Sequence, residues 1–173
     1  MSINPQRQEA GATPLPGQPT SSASDFDFFT GNWSIRNRKL KTRLQQCTEW
    51  EEFTATDTVI KVLNGLGNFG QWGALINDEP FAGLTLRLFD PQTRLWSIYW
   101  SDSNTGTLDT PVQGCFSGGV GTFYGKDVLR GQEVDVRFTW DATDPQHPVW
   151  SQAFSEDGGE NWETNWYMYH SRL

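Results

Sequence analysis

Phe26-Asp27-Phe28-Phe29-Thr30-Gly31-Asn32-Trp33 is the stretch whose reading decides the fold. Three phenylalanines form an apolar cluster, Gly31 frees the backbone to turn, and Trp33 opens a long extended run. That order is what a plug at the base of a closed sheet requires, with Asp25 placed to cap a short helical turn. From Trp33 onward the chain breaks into about ten extended segments with short turns and no long helix. The expectation is an all-β fold, an antiparallel up-and-down β-barrel of about ten strands with a short N-terminal helical plug.

Working outward, the first strand runs from Trp33 to about Leu44, and alternation sends Ile35, Asn37 and Lys39 to the side of Trp33. The barrel therefore grows more polar away from its aromatic base. A second pair of strands is expected over 49–55 and 57–63. Residues 64–80 hold several glycines with Phe69 and Trp72, which predicts a long loop: either a lid formed by Asn68, Phe69 and Trp72, or a loop tucked over the outer wall. The glycine spacing matches no phosphate or dinucleotide loop. Segments 81–89 and 94–101 form a hairpin through Asp90-Pro91-Gln92-Thr93, with Arg87 opposite Trp96, Thr85 opposite Ile98 and Gly83 opposite Trp100. Both faces of this hairpin are apolar. The face carrying Leu84, Leu86 and Leu88 is therefore covered, or pairs with a second copy as a homodimer. Arg87 is assigned to the cavity as an anion anchor; stacking on Trp96 outside the barrel is the competing placement.

Strands follow over 111–117, 120–126, 132–140 and 149–155, and the last runs from Trp162 to His170. Ser155-Glu156-Asp157-Gly158-Gly159-Glu160-Asn161-Trp162 fits S-x-D-x-G-x-x-W, resembling the Asp-box of sialidase-type propellers. A propeller needs several copies, so the single one here is expected to be a turn between the last two strands.

Gly31-Asn32-Trp33 behind its plug, with Arg172 near the far end of the chain, resembles the lipocalin (calycin) pattern. Together with Gly65-Leu66-Gly67-Asn68, Leu86-Arg87-Leu88-Phe89-Asp90-Pro91, Trp96-Ser97-Ile98 and the run from Ser155 to Trp166, it is similar to a bacterial family of lipocalin-like proteins of unknown function. The resemblance implies a calycin barrel in which Trp33 packs against an arginine of the last strand. It implies no activity. The chain departs from it at Asn37, where a histidine is expected, and at His170, where an apolar residue is.

Composition agrees with one compact domain. Aromatic residues make up 14% of the 173, including nine tryptophans, which supplies a real core. Residues 1–24 are rich in Pro, Gly, Ser and Gln and are expected to be a flexible tail, leaving 25–173 as the barrel domain. The net charge of -8 argues against nucleic acid or an anionic membrane as partner. Cys47 and Cys115 are read as free thiols of a reducing compartment, and with no membrane span or signal-peptide pattern the expected location is cytoplasmic.

The chemistry expected of such a barrel is binding. Trp96, Trp100, Phe138, Trp140, Trp150 and Trp166 would wall a cavity, with Arg87, Gln152 and His170 as polar anchors for a small aromatic or amphipathic molecule, an acidic one included. A cofactor-independent isomerase, cyclase or lyase is the alternative, with Glu52, Tyr124 or His170 moving a proton. A structural or partner-binding protein with a filled barrel is the third. Metal and nucleophile patterns are absent, so no metal and no cofactor is expected, haem on His170 being the one alternative.

Overall fold

The computed structural model describes residues 21–173. Ten antiparallel strands close into one barrel: β1 (Gly31–Leu40), β2 (Trp50–Val62), β3 (Gly67–Ile76), β4 (Glu79–Asp90), β5 (Leu95–Asp102), β6 (Val112–Ser117), β7 (Val120–Leu129), β8 (Gln132–Asp141), β9 (Val149–Ser155) and β10 (Glu163–Arg172). Every strand pairs with its neighbours in sequence, and β10 returns to β1 with Trp33 opposite Arg172. Closure leaves no unpaired strand edge.

The base of the barrel is where the opening octet sits. The expected helical plug is a single 3-10 turn, Asp27–Phe29, too short to be a helix. Asp25 does not cap it, because its carboxylate is taken by the Ser21 hydroxyl and by the Ser22 backbone and hydroxyl. Three residues suffice because burial of Phe26 and Phe29 holds the turn. Phe26 meets Trp96 and Phe116 edge-on, each at 4.9 Å between ring centres. Trp33 stacks on Phe29 and donates its indole N–H to the Phe29 carbonyl at 2.8 Å. Arg172 then lies 3.9 Å over the Trp33 ring and donates to the Phe28 and Thr30 carbonyls. One arginine of the last strand thus ties the plug to the first strand, as the Gly-x-Trp resemblance implied.

Within the expected tail, the buried Ser21 hydroxyl accepts from the Phe116 backbone N–H of β6, whereas residues 1–20 lie outside the described residues.

Ten strands were expected, but three of the assignments differ. β1 ends at Leu40 rather than about Leu44. The two strands expected over 49–55 and 57–63 are the single thirteen-residue β2, since nothing between Trp50 and Val62 breaks the backbone and Asp57 points inward instead of turning. The expected loop over 64–80 is mostly β3, so Asn68, Phe69 and Trp72 are strand residues and do not form a lid. Gly65 does lie in a turn, but Gly67 and Gly70 signalled close approach: a Cβ on Gly67 would lie 2.6 Å from the Arg87 carbonyl oxygen, and one on Gly70 3.0 Å from the Asp57 carboxylate. The β4–β5 register is shifted by two from the expected one, with Arg87 opposite Ile98, Thr85 opposite Trp100 and Phe89 opposite Trp96. A two-residue shift keeps every side chain on its face, so the sidedness survives.

Outside the barrel, Leu84, Leu86 and Leu88 are half-buried. Leu86 belongs to a row that crosses four strands, Ile60 beside Phe69 beside Leu86 beside Tyr99. Among the described residues no helix is long and apolar enough to cross a membrane.

Candidate functional site: the barrel cavity

Strand alternation and the plug together define a cavity. The plug and the short connections at 63–66, 91–94, 118–119 and 142–148 occupy one end, while 41–49, 77–78, 103–111, 130–131 and 156–162 surround the other. Between them is a space of about 330 Å³.

Its floor is polar on an aromatic bed. Arg87, 4% exposed, sits within 4.9 to 5.6 Å of the rings of Phe29, Phe26 and Trp140, and donates from Nη1 to the Asn68 side-chain oxygen at 2.9 Å. Burial lowers its pKa to about 10, with the charge of Asp57 opposing the shift, so the guanidinium stays protonated at neutral pH. Asp57, 3% exposed, has its pKa raised by burial, against the pull of Arg87 and a hydrogen bond from the Thr58 backbone. No hydrogen bond or ion pair joins the two. Three polar atoms here have no protein partner: Asp57 Oδ1, Arg87 Nε and Trp72 Nε1. Asp57 and Trp72 are directly opposed on β2 and β3, so the unpartnered acceptor and one donor come from a single rung of the sheet.

His170 also lines the floor. Its ring is 2% exposed and packs edge-on to Phe29 at 5.1 Å and to Trp33, with Trp140 tilted over it at 5.1 Å. Nδ1 donates to the Pro148 carbonyl at 3.1 Å, leaving Nε2 as the unprotonated nitrogen. Burial holds the pKa down at about 4, reinforced by Arg87, and the carbonyl bond opposes it, so the ring is neutral at pH 7. This packing fits a haem poorly, since a macrocycle approaching the ring would have to displace Trp140 and the plug.

The walls are aromatic, and most of the expected residues meet here. Trp100, Phe138, Trp140, Trp150, Gln152 and Trp166 all line the space. Gln152 donates to Asn165, which a bulge between Thr164 and Trp166 inserts into β10, and Trp166 donates to the buried Asn37 at 3.0 Å. These bonds fix a glutamine and an indole that would otherwise be free to rotate. Of the expected lid residues, Trp72 is a wall residue and Asn68, directly opposite Arg87 on the neighbouring strand, accepts its hydrogen bond. Phe69 faces outward in the external row.

Three expectations fail on geometry. Trp96 is buried at the base, beneath the cavity, with its indole N–H on the Ser22 carbonyl. Glu52 is on the outer face of β2, paired with Arg36 at 3.6 Å. Tyr124 is 54% exposed outside, beside Trp162. Neither of the last two reaches the cavity, because even-numbered β2 residues and Tyr124 fall on the outward phase of their strands.

The mouth was not foreseen. Asp102, Asp109 and Asp127 line the cavity on the β5–β7 side, and Arg43 on the other. The 41–49 segment is tied down by Glu163 Oε1 accepting from the Leu44 backbone N–H at 2.7 Å, and by Arg130 donating to the Arg43 carbonyl at 2.9 Å. It, rather than 64–80, is the segment resting over the opening. Asp57 had a signal in the sequence, a lone charge in the inward series Ala55, Asp57, Val59. The three aspartates are scattered over two strands and a loop and had none.

The chain matches no known family model, and no curated protein matches it by sequence. The closed ten-strand antiparallel barrel is consistent with a lipocalin-like architecture.

Proposed function

We propose that this is a lipocalin-like, calycin-type barrel whose cavity binds a small aromatic or amphipathic molecule. The observation that carries the reading is the set of three unpartnered buried polar atoms, Asp57 Oδ1, Arg87 Nε and Trp72 Nε1, on residues that line an aromatic-walled space. A buried polar group without a partner costs about 1 to 3 kcal/mol, and a ligand carrying both an acceptor and a donor would supply the missing bonds. Apolar burial against Trp100, Trp150 and Trp166 would supply the affinity, and the polar floor the orientation.

Native mass spectrometry of the purified protein, together with tryptophan fluorescence titration of an extracted or screened ligand, tests this. Arg87→Met and Trp72→Phe, each folded by circular dichroism, are expected to weaken binding at least tenfold. Unchanged affinity in both would end the reading.

One observation favours a second reading, a cofactor-independent isomerase, cyclase or lyase. Asp57, with its raised pKa, and the neutral His170 face the same cavity and replace Glu52 and Tyr124 as proton-moving candidates. Turnover lost with affinity retained in Asp57→Asn or His170→Gln would support it. A cytoplasmic setting belongs to the proposal, supported by the free thiols of Cys47 and Cys115. So does a homodimer through the Leu84, Leu86 and Leu88 face, supported by the external apolar row.

A further inference from the structure

The barrel wall is not equally deep all the way round. β6 has six residues, whereas β5 and β7 beside it have eight and ten. β5 pairs with β6 only at Trp96, Ser97 and Ile98, and the β6–β7 ladder begins at Gln113 and Tyr124. Beyond those rungs, toward the end away from the plug, the 103–111 connection rather than a strand fills the interval between β5 and β7. All of 103–110 is exposed, and among the described residues none of 103–111 belongs to the core or packs against it. Its bonds to strands are at its two ends. The Ser103 amide donates to the Ala82 carbonyl, the Ser103 hydroxyl accepts from the Ala82 amide, and the Asp109 amide donates to the Trp100 carbonyl.

A cleft of about 340 Å³ lies at this interval. It is lined by Ile98, Val112 and Val136, buried inward-phase residues, and also by Lys126 and Val128 from the outward phase of β7, Val128 being 67% exposed. A space bounded by both the inner and the outer face of one sheet is a passage through it. Ile98, Trp100 and Phe138 line this cleft and the main cavity alike, so the passage leads inward to the cavity. Trp100 stands where the two meet. A Cβ on Gly83 of β4 would overlap the Trp100 ring, so the indole lies back against β4 only because that position carries no side chain. Its N–H is 3.4 Å from Asp102 Oδ2, a long bond that holds it loosely. The axial end is closed more firmly. There Leu44 packs against the core, and the Glu163 and Arg130 bonds fasten the 41–49 segment. Lifting that segment breaks both bonds and uncovers Leu44, whereas moving 103–111 outward uncovers no core residue of its own.

We infer that the ligand enters and leaves sideways, between β5 and β7 above the start of β6, with 103–111 as the flap and Gly83 keeping Trp100 out of the passage. This rests on the cavity being a small-molecule site, and it adds the route, which an equilibrium affinity does not report. A flap that only gates slows entry and exit together and leaves the affinity nearly unchanged, whereas a residue that holds the ligand changes the affinity.

The probe is 8-anilinonaphthalene-1-sulfonate, an aromatic dye with both a donor and an acceptor, mixed with the protein by stopped flow; weaker binding to Arg87→Met places it in the cavity. Continuing the β6–β7 register, in which Gln113 is opposite Tyr124, sets 110 opposite 127. Thr110→Cys/Asp127→Cys in a Cys47→Ser/Cys115→Ser background therefore bolts the flap to β7 when oxidised. Oxidation of this variant, checked by mass, is expected to slow association and dissociation at least tenfold each, with Kd within threefold of the reduced form. Gly83→Ala, which pushes Trp100 into the passage, should slow association at least fivefold without any crosslink. Glu163→Ala, which loosens the axial segment, should leave association within twofold of wild type. Rates that are unchanged on oxidation and in Gly83→Ala, or an association rate that rises severalfold in Glu163→Ala, overturn the inference and leave the cavity reading intact. A dye that fails to bind, or that binds Arg87→Met as tightly as wild type, counts against the cavity reading and takes the inference with it.

Discussion

Gly31 shows how a single position carries the base of the barrel. Its φ of 122° is open to glycine and strained for any other residue, and a Cβ there would lie 2.7 Å from Arg172 Nη1. Gly31→Ala therefore strains the backbone and pushes away the arginine that covers Trp33. A loss of about 1 to 3 kcal/mol is expected in urea unfolding. His170 gives a pH-dependent prediction at the same scale. Its folded pKa, near 4, is below its ordinary 6.5, so the unfolded chain binds the extra proton between those values. Stability from this group is complete above about pH 6.5, falls as the pH drops toward 4, and is flat below; its span is about 3 kcal/mol. Asp57 has a raised pKa and acts in the opposite sense over its own range, so the quantity to measure is the difference between wild type and His170→Gln. That difference in urea midpoints should shrink from pH 7 to pH 4; a constant difference would show that the ring titrates normally.

At the scale of elements, the β9–β10 turn is the part most fully specified locally. The Ser155 hydroxyl donates to Asp157 at 2.7 Å and accepts from the Gly159 amide, Asp157 accepts from the Asn161 backbone and side chain, and the Trp162 indole donates to the Gly159 carbonyl. These bonds, that from the Asn161 backbone foremost, hold the Asp157 pKa down at about 2. Since the folded pKa is depressed, the turn's bonds persist above the ordinary carboxylate range and are lost as the pH falls through about 2. Carbon-detected NMR titration should place Asp157 there, and the Asn161 amide should lose its exchange protection in Asp157→Ala. β3 is the opposite case. Its glycines read as a loop because local preference disfavours glycine in strands. What made it a strand was pairing on both sides with β2 and β4, which no window of its own sequence contains.

For the whole molecule, closure is what converts strand patterns into a site. Side chains on β2, β4, β8, β9 and β10 become neighbours across the interior only because β10 returns to β1. The outer surface retains the apolar row from Ile60 to Tyr99, and the proposed homodimer predicts that Leu86→Glu lowers the mass seen by light scattering from twice 19.6 kDa to 19.6 kDa. A wild-type protein already at the lower mass would remove the dimer from the proposal.

Alternation and local chemistry are periodic, and periodicity is written in the chain. The barrel class, Trp33 at its base, the Asp-box turn, the sharing of one face by Trp166 and His170 and of another by Trp150 and Gln152, and the two apolar faces of the β4–β5 hairpin all follow from residues a few positions apart, whereas which face of each strand turns inward, that of Arg87 included, does not. The β4–β5 register, the single long β2, the strand at β3, the outward placement of Glu52 and Tyr124, and the gathering of Asp102, Asp109 and Asp127 at one rim came from tertiary structure. Each depends on which segments lie side by side, and that is set by burial summed over the closed sheet, in which positions far apart in sequence become adjacent in space.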